Sequence, residues 1–255
     1  MSLADALVEL QELTERLRRE CPWDREQTAK TIVPHTVEEA YEVADAALAE
    51  DDAKLLDELG DLLYQVYFLA LLLEEKGDGD LEAVASAIHD KLVRRHPHVF
   101  GGEEITTAGA VRSRWEQVKV EQEGREGIFH DVPESLPALL YARKVQRRAA
   151  TVGFEYPDVE GAFGDLKDEL RELDEELRSG SDERRAAELG DLLFACVNVA
   201  RRIGADPELE LRSATRRFRD RVEAAERLAE AAGETWAELS LDEQDRYFDR
   251  AKEAE

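Results

Sequence analysis

Apolar residues return every three or four positions over roughly 3–19, 36–49, 54–75, 81–95 and 108–122, and again over roughly 137–150, 160–178, 183–202, 207–231 and 241–253. That spacing gathers them on one face of a helix. No segment sustains the apolar–polar alternation, with β-branched enrichment, that a strand requires. The pattern therefore predicts an all-α protein. Two of the starts read as capping boxes, Thr36-x-x-Glu39 and Ser240-x-x-Glu243. Glycine and proline are scarce inside the periodic stretches and gather between them, with Gly124, Gly127, Pro133 and Pro137 marking the break between the two sets. The expected organisation is a helical domain over 1–123, a linker over 124–136 and a second helical domain over 137–255.

The two sets repeat each other. Glu58-Leu-Gly-Asp61-Leu-Leu63 recurs as Glu188-Leu-Gly-Asp191-Leu-Leu193, and Glu39-x-x-Glu42 recurs as Glu169-x-x-Glu172. Fifteen residues separate the two motifs in both copies. Downstream, Lys91-x-x-x-Arg95 is echoed by Arg217-x-x-x-Arg221, and Trp115-Glu-Gln-Val-Lys119 by Phe248-Asp-Arg-Ala-Lys252. The same elements in the same order, twice, indicate a duplicated helical-bundle domain.

The repeated motifs carry chemistry. Glu39 and Glu42 lie three apart and share a helix face, as do Glu58 and Asp61 on the next helix. The connection over 50–53 is short and polar, which favours antiparallel neighbours and brings the four carboxylates together. Glu58 is flanked on its own face by Leu55 and Leu62, so it borders the apolar stripe. Crowded carboxylates at an apolar border repel one another and lose hydration, and a divalent cation relieves both costs. An all-oxygen donor set selects Mg2+, or Mn2+, over zinc. Glu169, Glu172, Glu188 and Asp191 repeat the arrangement. A lone Glu-x-x-Glu pair in so acidic a chain would be an ordinary solvated face; the doubled constellation is not.

Composition narrows the partners. Of 255 residues, 60 are acidic and 34 basic, a net charge of −26. Such a surface repels phosphate backbones and anionic lipid, so neither polymeric nucleic acid nor a membrane is an expected partner. The start MSLADALVEL lacks a basic-then-apolar signal, and the apolar run over 62–73 is too short to cross a bilayer. Cys21 and Cys196 have neither metal-ligand spacing nor a disulfide framework, as expected of free thiols in the cytoplasm. The 43% of hydrophobic residues suffices for a core.

At Glu38-Glu39-x-x-Glu42 and Glu58-x-x-Asp61 the chain resembles the MazG family of nucleoside triphosphate pyrophosphohydrolases, within the all-α NTP pyrophosphatase superfamily. Supporting stretches are Cys21-Pro-Trp-Asp24 with Glu26-Gln27, Lys91-Leu-Val-Arg-Arg-His-Pro-His-Val-Phe100, Trp115-Glu-Gln-Val-Lys119, Pro137-Ala-Leu-Leu and Val152-Gly-Phe-Glu155. The resemblance implies helical bundles that dimerise, magnesium dependence, and hydrolysis of nucleoside triphosphates to monophosphates and pyrophosphate. It implies metal ligation by Glu39, Glu42, Glu58 and Asp61, and by Glu169, Glu172, Glu188 and Asp191. It also implies triphosphate binding by Lys91, Arg95, Arg217 and Arg221, and base contacts by Trp115 and Phe248, followed by Lys119 and Lys252. The second copy departs where Asp168 replaces Glu38, Arg217 replaces Lys91 and Phe248 replaces Trp115.

Glu38, adjacent to the ligands but not needed as one, is the candidate general base for the attacking water, with Asp168 its counterpart. The leading expectation is a house-cleaning hydrolase with broad base tolerance. The rivals are a restricted relative acting on deoxyuridine nucleotides or phosphoribosyl-ATP, and a non-catalytic acidic helical interaction module. His96 and His98, just past a helix end, are expected to satisfy terminal carbonyls rather than bind metal. Trp23 is expected to pack at the start of a helix rather than to touch a base.

Overall fold

The computed structural model describes residues 1–102, 106, 107, 109–111, 114, 127–130 and 132–254. These divide between two compact units, Met1–Gly124 and Arg125–Glu255. No strand occurs among the described residues.

The first unit contains α1 (Leu3–Glu20), α2 (Pro22–Glu26), α3 (Ala29–Leu48), α4 (Asp52–Glu74), α5 (Leu81–Arg95) and α6 (Pro97–Phe100). The second contains α7 (Ala138–Thr151), α8 (Val159–Ser179), α9 (Asp182–Ile203), α10 (Pro207–Ala231), a 3-10 turn (Trp236–Glu238) and α11 (Leu241–Glu253). Most of the helix expected over 108–122, including Trp115 and Lys119, lies outside the described residues.

The sequence repeat is also a repeat of helix starts. Thr28 caps α3 and Asp158 caps α8; Asp51 caps α4 and Ser181 caps α9; Asp80 caps α5 and Asp206 caps α10. In each case a side-chain oxygen accepts from a backbone N–H of the first turn, which would otherwise lack a partner. α3 packs along α4, and α8 along α9.

Arg18 holds the first unit's ends together. Its guanidinium pairs with Glu75 at 2.7 Å, donates to the carbonyls of Asp24 and Gln27, and lies 5.9 Å from the centroid of the Phe68 ring. One side chain thus joins α1, α2 and α4 through charge-assisted hydrogen bonds and a cation–π contact. The Tyr64 hydroxyl donates to the buried Asp24 carboxylate at 3.3 Å. Burial and that neighbouring charge push the Tyr64 phenol up to about 12. Beneath lie Ile32, Phe68 and Leu72, flanked by Ala29, Tyr64 and Leu69.

The second unit packs on smaller side chains. Ala162 of α8, Ala195 of α9, Ala225 and Ala229 of α10 and Ala251 of α11 are all buried. Arg143 of α7 pairs with Asp206, whose other oxygen accepts from the first-turn amides of α10. Arg201 forms a two-pronged pair with Glu155, which holds that carboxyl below its ordinary range.

One expected boundary is corrected. The capping box at Ser240 is present, with the Ser240 N–H donating to the Glu243 carboxylate at 2.9 Å. Thr36 caps nothing: α3 begins two turns earlier, at a box between Thr28 and Thr31, and runs through Pro34. At the sixth helical position Pro34 removes one intrahelical donor and crowds the carbonyl four residues earlier, a local cost that the helix absorbs. The Thr36 hydroxyl donates instead to the Ile32 carbonyl at 3.3 Å. Thr28→Ala should therefore cost about 1 kcal/mol of stability, while Thr36→Ala should change it by less than about 0.5 kcal/mol. Urea denaturation of the two variants checks this; the reverse ranking would return the helix start to Thr36.

Candidate metal centre

In the first unit, carboxylate oxygens of Glu39, Glu58 and Asp61 all lie within 4.8 Å of one another. Glu42 completes the group through a hydrogen bond to Glu58. The pairings run in opposite directions along the chain, Glu39 with Asp61 and Glu42 with Glu58, which is the signature of antiparallel helices. In the second unit Glu169, Glu172 and Glu188 form the tight set, and Asp191 stands as the strongest charged neighbour of Glu169. The structure thus gathers all eight carboxylates into two clusters of four.

Electrostatics bear the marks of that crowding. The Glu39 carboxyl lies above its ordinary value because of lost hydration, then the charges of Asp61, Glu42, Glu58 and Glu38. Glu58, buried on α4, is raised by desolvation and then by its hydrogen bond to Glu42. Glu169 is raised for the same reasons, with Asp191 and Glu172 as the leading neighbours. Clusters of oxygens that resist ionising together, yet lie at the surface edge of a helix pair, suit a hard cation bound through several carboxylates. Each can bind a metal ion.

The remaining expected residues fall around them. Glu38 is exposed beside Glu39, its carboxylate 3.8 Å from His35 Nδ1. Asp168 is exposed and 3.8 Å from Arg171. Lys91 and Arg95 stand one turn apart on α5, which packs on α4. Arg217 and Arg221 stand on α10, which packs on α11 bearing Phe248 and Lys252. The Phe248 ring lies 5.7 Å from that of Phe218, the residue after Arg217. His96 Nδ1 meets the Leu92 carbonyl at 2.6 Å, the helix-end role expected of it.

Three participants were not foreseen. Lys54 reaches Glu58 at 3.6 Å from one turn earlier on α4, and partly offsets its repulsion. Arg171, between the ligands of the second cluster, meets Glu172 at 3.5 Å and Glu175 at 2.9 Å. Asp165 lies one turn before Glu169, adds to its charge environment and accepts a hydrogen bond from the Tyr156 hydroxyl. Lys54 and Asp165 sit one turn from a cluster carboxylate and Arg171 sits next to one, so the signal was present, but charged residues at such spacing are common in this chain.

Two antiparallel helix pairs, each presenting four carboxylates, define an all-α protein with two clusters that could bind a metal ion. The MazG nucleotide pyrophosphohydrolase domain matches residues 27–100, the stretch that holds Glu39, Glu42, Glu58 and Asp61. Over 260 residues the chain is 38% identical to the nucleoside triphosphate pyrophosphohydrolase of Escherichia coli (strain K12), covering 100% of this chain and 99% of that one. It is 38% identical over 249 residues to the nucleoside triphosphate pyrophosphohydrolase/pyrophosphatase MazG of Thermotoga maritima, covering 96% and 94%. A crystal structure of a mazG-related protein from Thermotoga maritima aligns with 44% of this chain and 98% of its own, at 30% identity and a TM-score of 0.40. The chain belongs to the MazG nucleotide pyrophosphohydrolase family, and it is an enzyme.

The raised carboxyls make a signed prediction. A carboxyl whose folded value exceeds its unfolded one penalises the fold at neutral pH, and the penalty fades as pH falls into the ordinary carboxylate range. Without divalent ions, Glu39→Gln should therefore melt higher than the parent at pH 7, with the advantage shrinking on acidification. With Mg2+ the order should reverse, because the variant lacks one of the four carboxylates that would hold the ion. Thermal melts across pH with and without the ion test this; a variant no more stable than the parent in EDTA at pH 7 would contradict it.

Proposed function

We propose that the chain is a magnesium-dependent hydrolase of nucleoside triphosphates, yielding nucleoside monophosphates and pyrophosphate, with broad base tolerance and a house-cleaning role in the nucleotide pool. One observation carries the reading: a four-carboxylate cluster stands at the same place in two helix pairs, each helix of which starts at a side-chain cap. The family relation, and the pyrophosphohydrolase activity named for relatives aligned over nearly their whole length, support it.

Each cluster, Glu39, Glu42, Glu58 and Asp61 or Glu169, Glu172, Glu188 and Asp191, would hold Mg2+, with Mn2+ an alternative of the same coordination chemistry. The bound ion supplies positive charge against the phosphate oxygens as negative charge builds there. Lys91 and Arg95 on α5, and Arg217 and Arg221 on α10, each offer two cations at i and i+4 to clamp a triphosphate from one helix face. Glu38, exposed and adjacent to the ligands, accepts the proton of a water attacking the α-phosphorus, and Asp168 does so in the second unit. The bond to the bridging oxygen breaks, and pyrophosphate leaves. Trp115 and Phe248, followed by Lys119 and Lys252, complete the substrate contacts in this reading.

The second unit is read as a second domain of the same kind, joined through residues 124–136. A homodimer fits the surface of α4, which leaves Leu56, Leu59, Leu63, Val66 and Leu73 exposed at spacings of three, four and seven residues. No described helix is long and apolar enough to cross a membrane; cytoplasmic residence and the absence of a nucleic-acid partner are part of the proposal.

Incubation with each nucleoside triphosphate and Mg2+ should release pyrophosphate and no orthophosphate. Glu42→Ala and Glu172→Ala test the two clusters separately, and the double variant should lose at least about a hundredfold in turnover. Glu38→Gln should slow turnover while Mg2+ affinity stays near the parent's. Orthophosphate as the product would sink the reading, and no release at all would leave an acidic interaction module.

A further inference from the structure

Lys54 and Glu58 stand one turn apart on α4, with the Lys54 ammonium 3.6 Å from Glu58 Oε1. Other ion pairs of that spacing keep their carboxylates in solvent: the Glu20 side chain is 61% exposed beside Arg16, Asp174 54% beside Arg178 and Glu223 55% beside Arg219. Pairs of that kind contribute little. The Glu58 side chain, by contrast, is only 8% exposed. It also shares a hydrogen bond with Glu42, and its carboxylate lies within 4.8 Å of oxygens of Glu39 and Asp61. Lys54 is therefore joined to the buried carboxylate of the first cluster, where poor hydration strengthens the attraction between opposite charges.

The second unit arranges its cations differently. Arg184 precedes Glu188 by the same turn that separates Lys54 from Glu58. Its guanidinium turns to Glu176 of α8 instead, at 2.8 Å. Arg171 meets Glu172, Glu175 and Asp168, all of them exposed. Among the described residues no cation pairs with Glu188. Two clusters at equivalent places thus differ in one respect: a side-chain cation holds Glu58, and none holds its counterpart.

We propose that Lys54 is a positioning residue and a resident competitor for the ion at the first cluster: it holds Glu58 in the ion-free protein and gives that carboxylate up when Mg2+ binds. This rests on the metal reading of the carboxylates and adds what sets the ion affinity of the first one. An ammonium and a divalent cation on one carboxylate are like charges at close range, so each weakens the hold of the other. The Lys54 side chain, 52% exposed, can swing its head into solvent as the ion arrives. The first cluster then fills only at a higher Mg2+ concentration than its four carboxylates alone would require. In exchange, the ion-free fold carries less of their repulsion.

The test is calorimetric titration of the full chain with Mg2+ alone, in a Glu169→Gln, Glu172→Gln background that strips the second cluster of two carboxylates. Lys54→Met keeps a long unbranched side chain without the charge, and should tighten Kd for Mg2+ about fivefold. Lys54→Arg keeps a cation and should leave Kd near that of the background. In EDTA the Lys54→Met protein should melt below the background, while its rise in Tm on adding Mg2+ should be the larger of the two. An unchanged or weaker Kd in Lys54→Met overturns the proposal. So does a loss of Tm that is equal with and without Mg2+, which would make Lys54 a prop of the helix surface. If the background protein, folded by circular dichroism, takes up no Mg2+ at all, the metal reading of the first cluster fails and the proposal falls with it.

Discussion

Mutual repulsion among four carboxylates is the constraint on which each half of this protein depends. Like charges at the border of an apolar helix pair must be held there by something else, and they stay costly until a cation joins them. Burial of Glu58 and the raised carboxyls of Glu39, Glu58 and Glu169 are the physical record of that cost. Lys54 in the first unit and Arg171 in the second offset part of it with basic groups of their own. Stability is given up locally at both clusters, the kind of cost that functional sites carry.

The rest of each fold holds the two helices in register against that repulsion. Side-chain caps fix where α3, α4, α8 and α9 begin, and a start displaced by one residue would rotate a carboxylate off the shared face. In the first unit Arg18 ties α1 and α2 to α4, and Tyr64 closes on Asp24, so the entrance to α3 is set by contacts from three directions. The second unit uses other means to the same end: alanines that let helices approach closely, and the Arg201–Glu155 and Arg143–Asp206 pairs. Equivalent positions carry different chemistry because the requirement is placement, not a particular contact.

Much of this was legible in the chain. Period-3.6 patterning located the long helices, and the spacing of Glu39, Glu42, Glu58 and Asp61 announced one face on each of two neighbours. What pattern alone misread was local. Thr36 and Glu39 have capping-box spacing, but the backbone there is already helical because Thr28 and Thr31 form the box eight residues earlier. The five-residue helix α2 carries too little periodicity to detect. Tyr156 and Asp165 lie nine positions apart across a loop and a helix start, a separation that no periodic rule connects.

The sequence by itself determined the helical class, most of the long helices and the repeated carboxylate motifs, because helical faces and repeat spacing are local properties of the chain. Tertiary structure decided which oxygens close to within one ion's reach and which basic side chains join them. Those outcomes depend on how helices separated along the chain pack together. In the first unit that packing turns on Arg18, whose partner Glu75 lies 57 residues away.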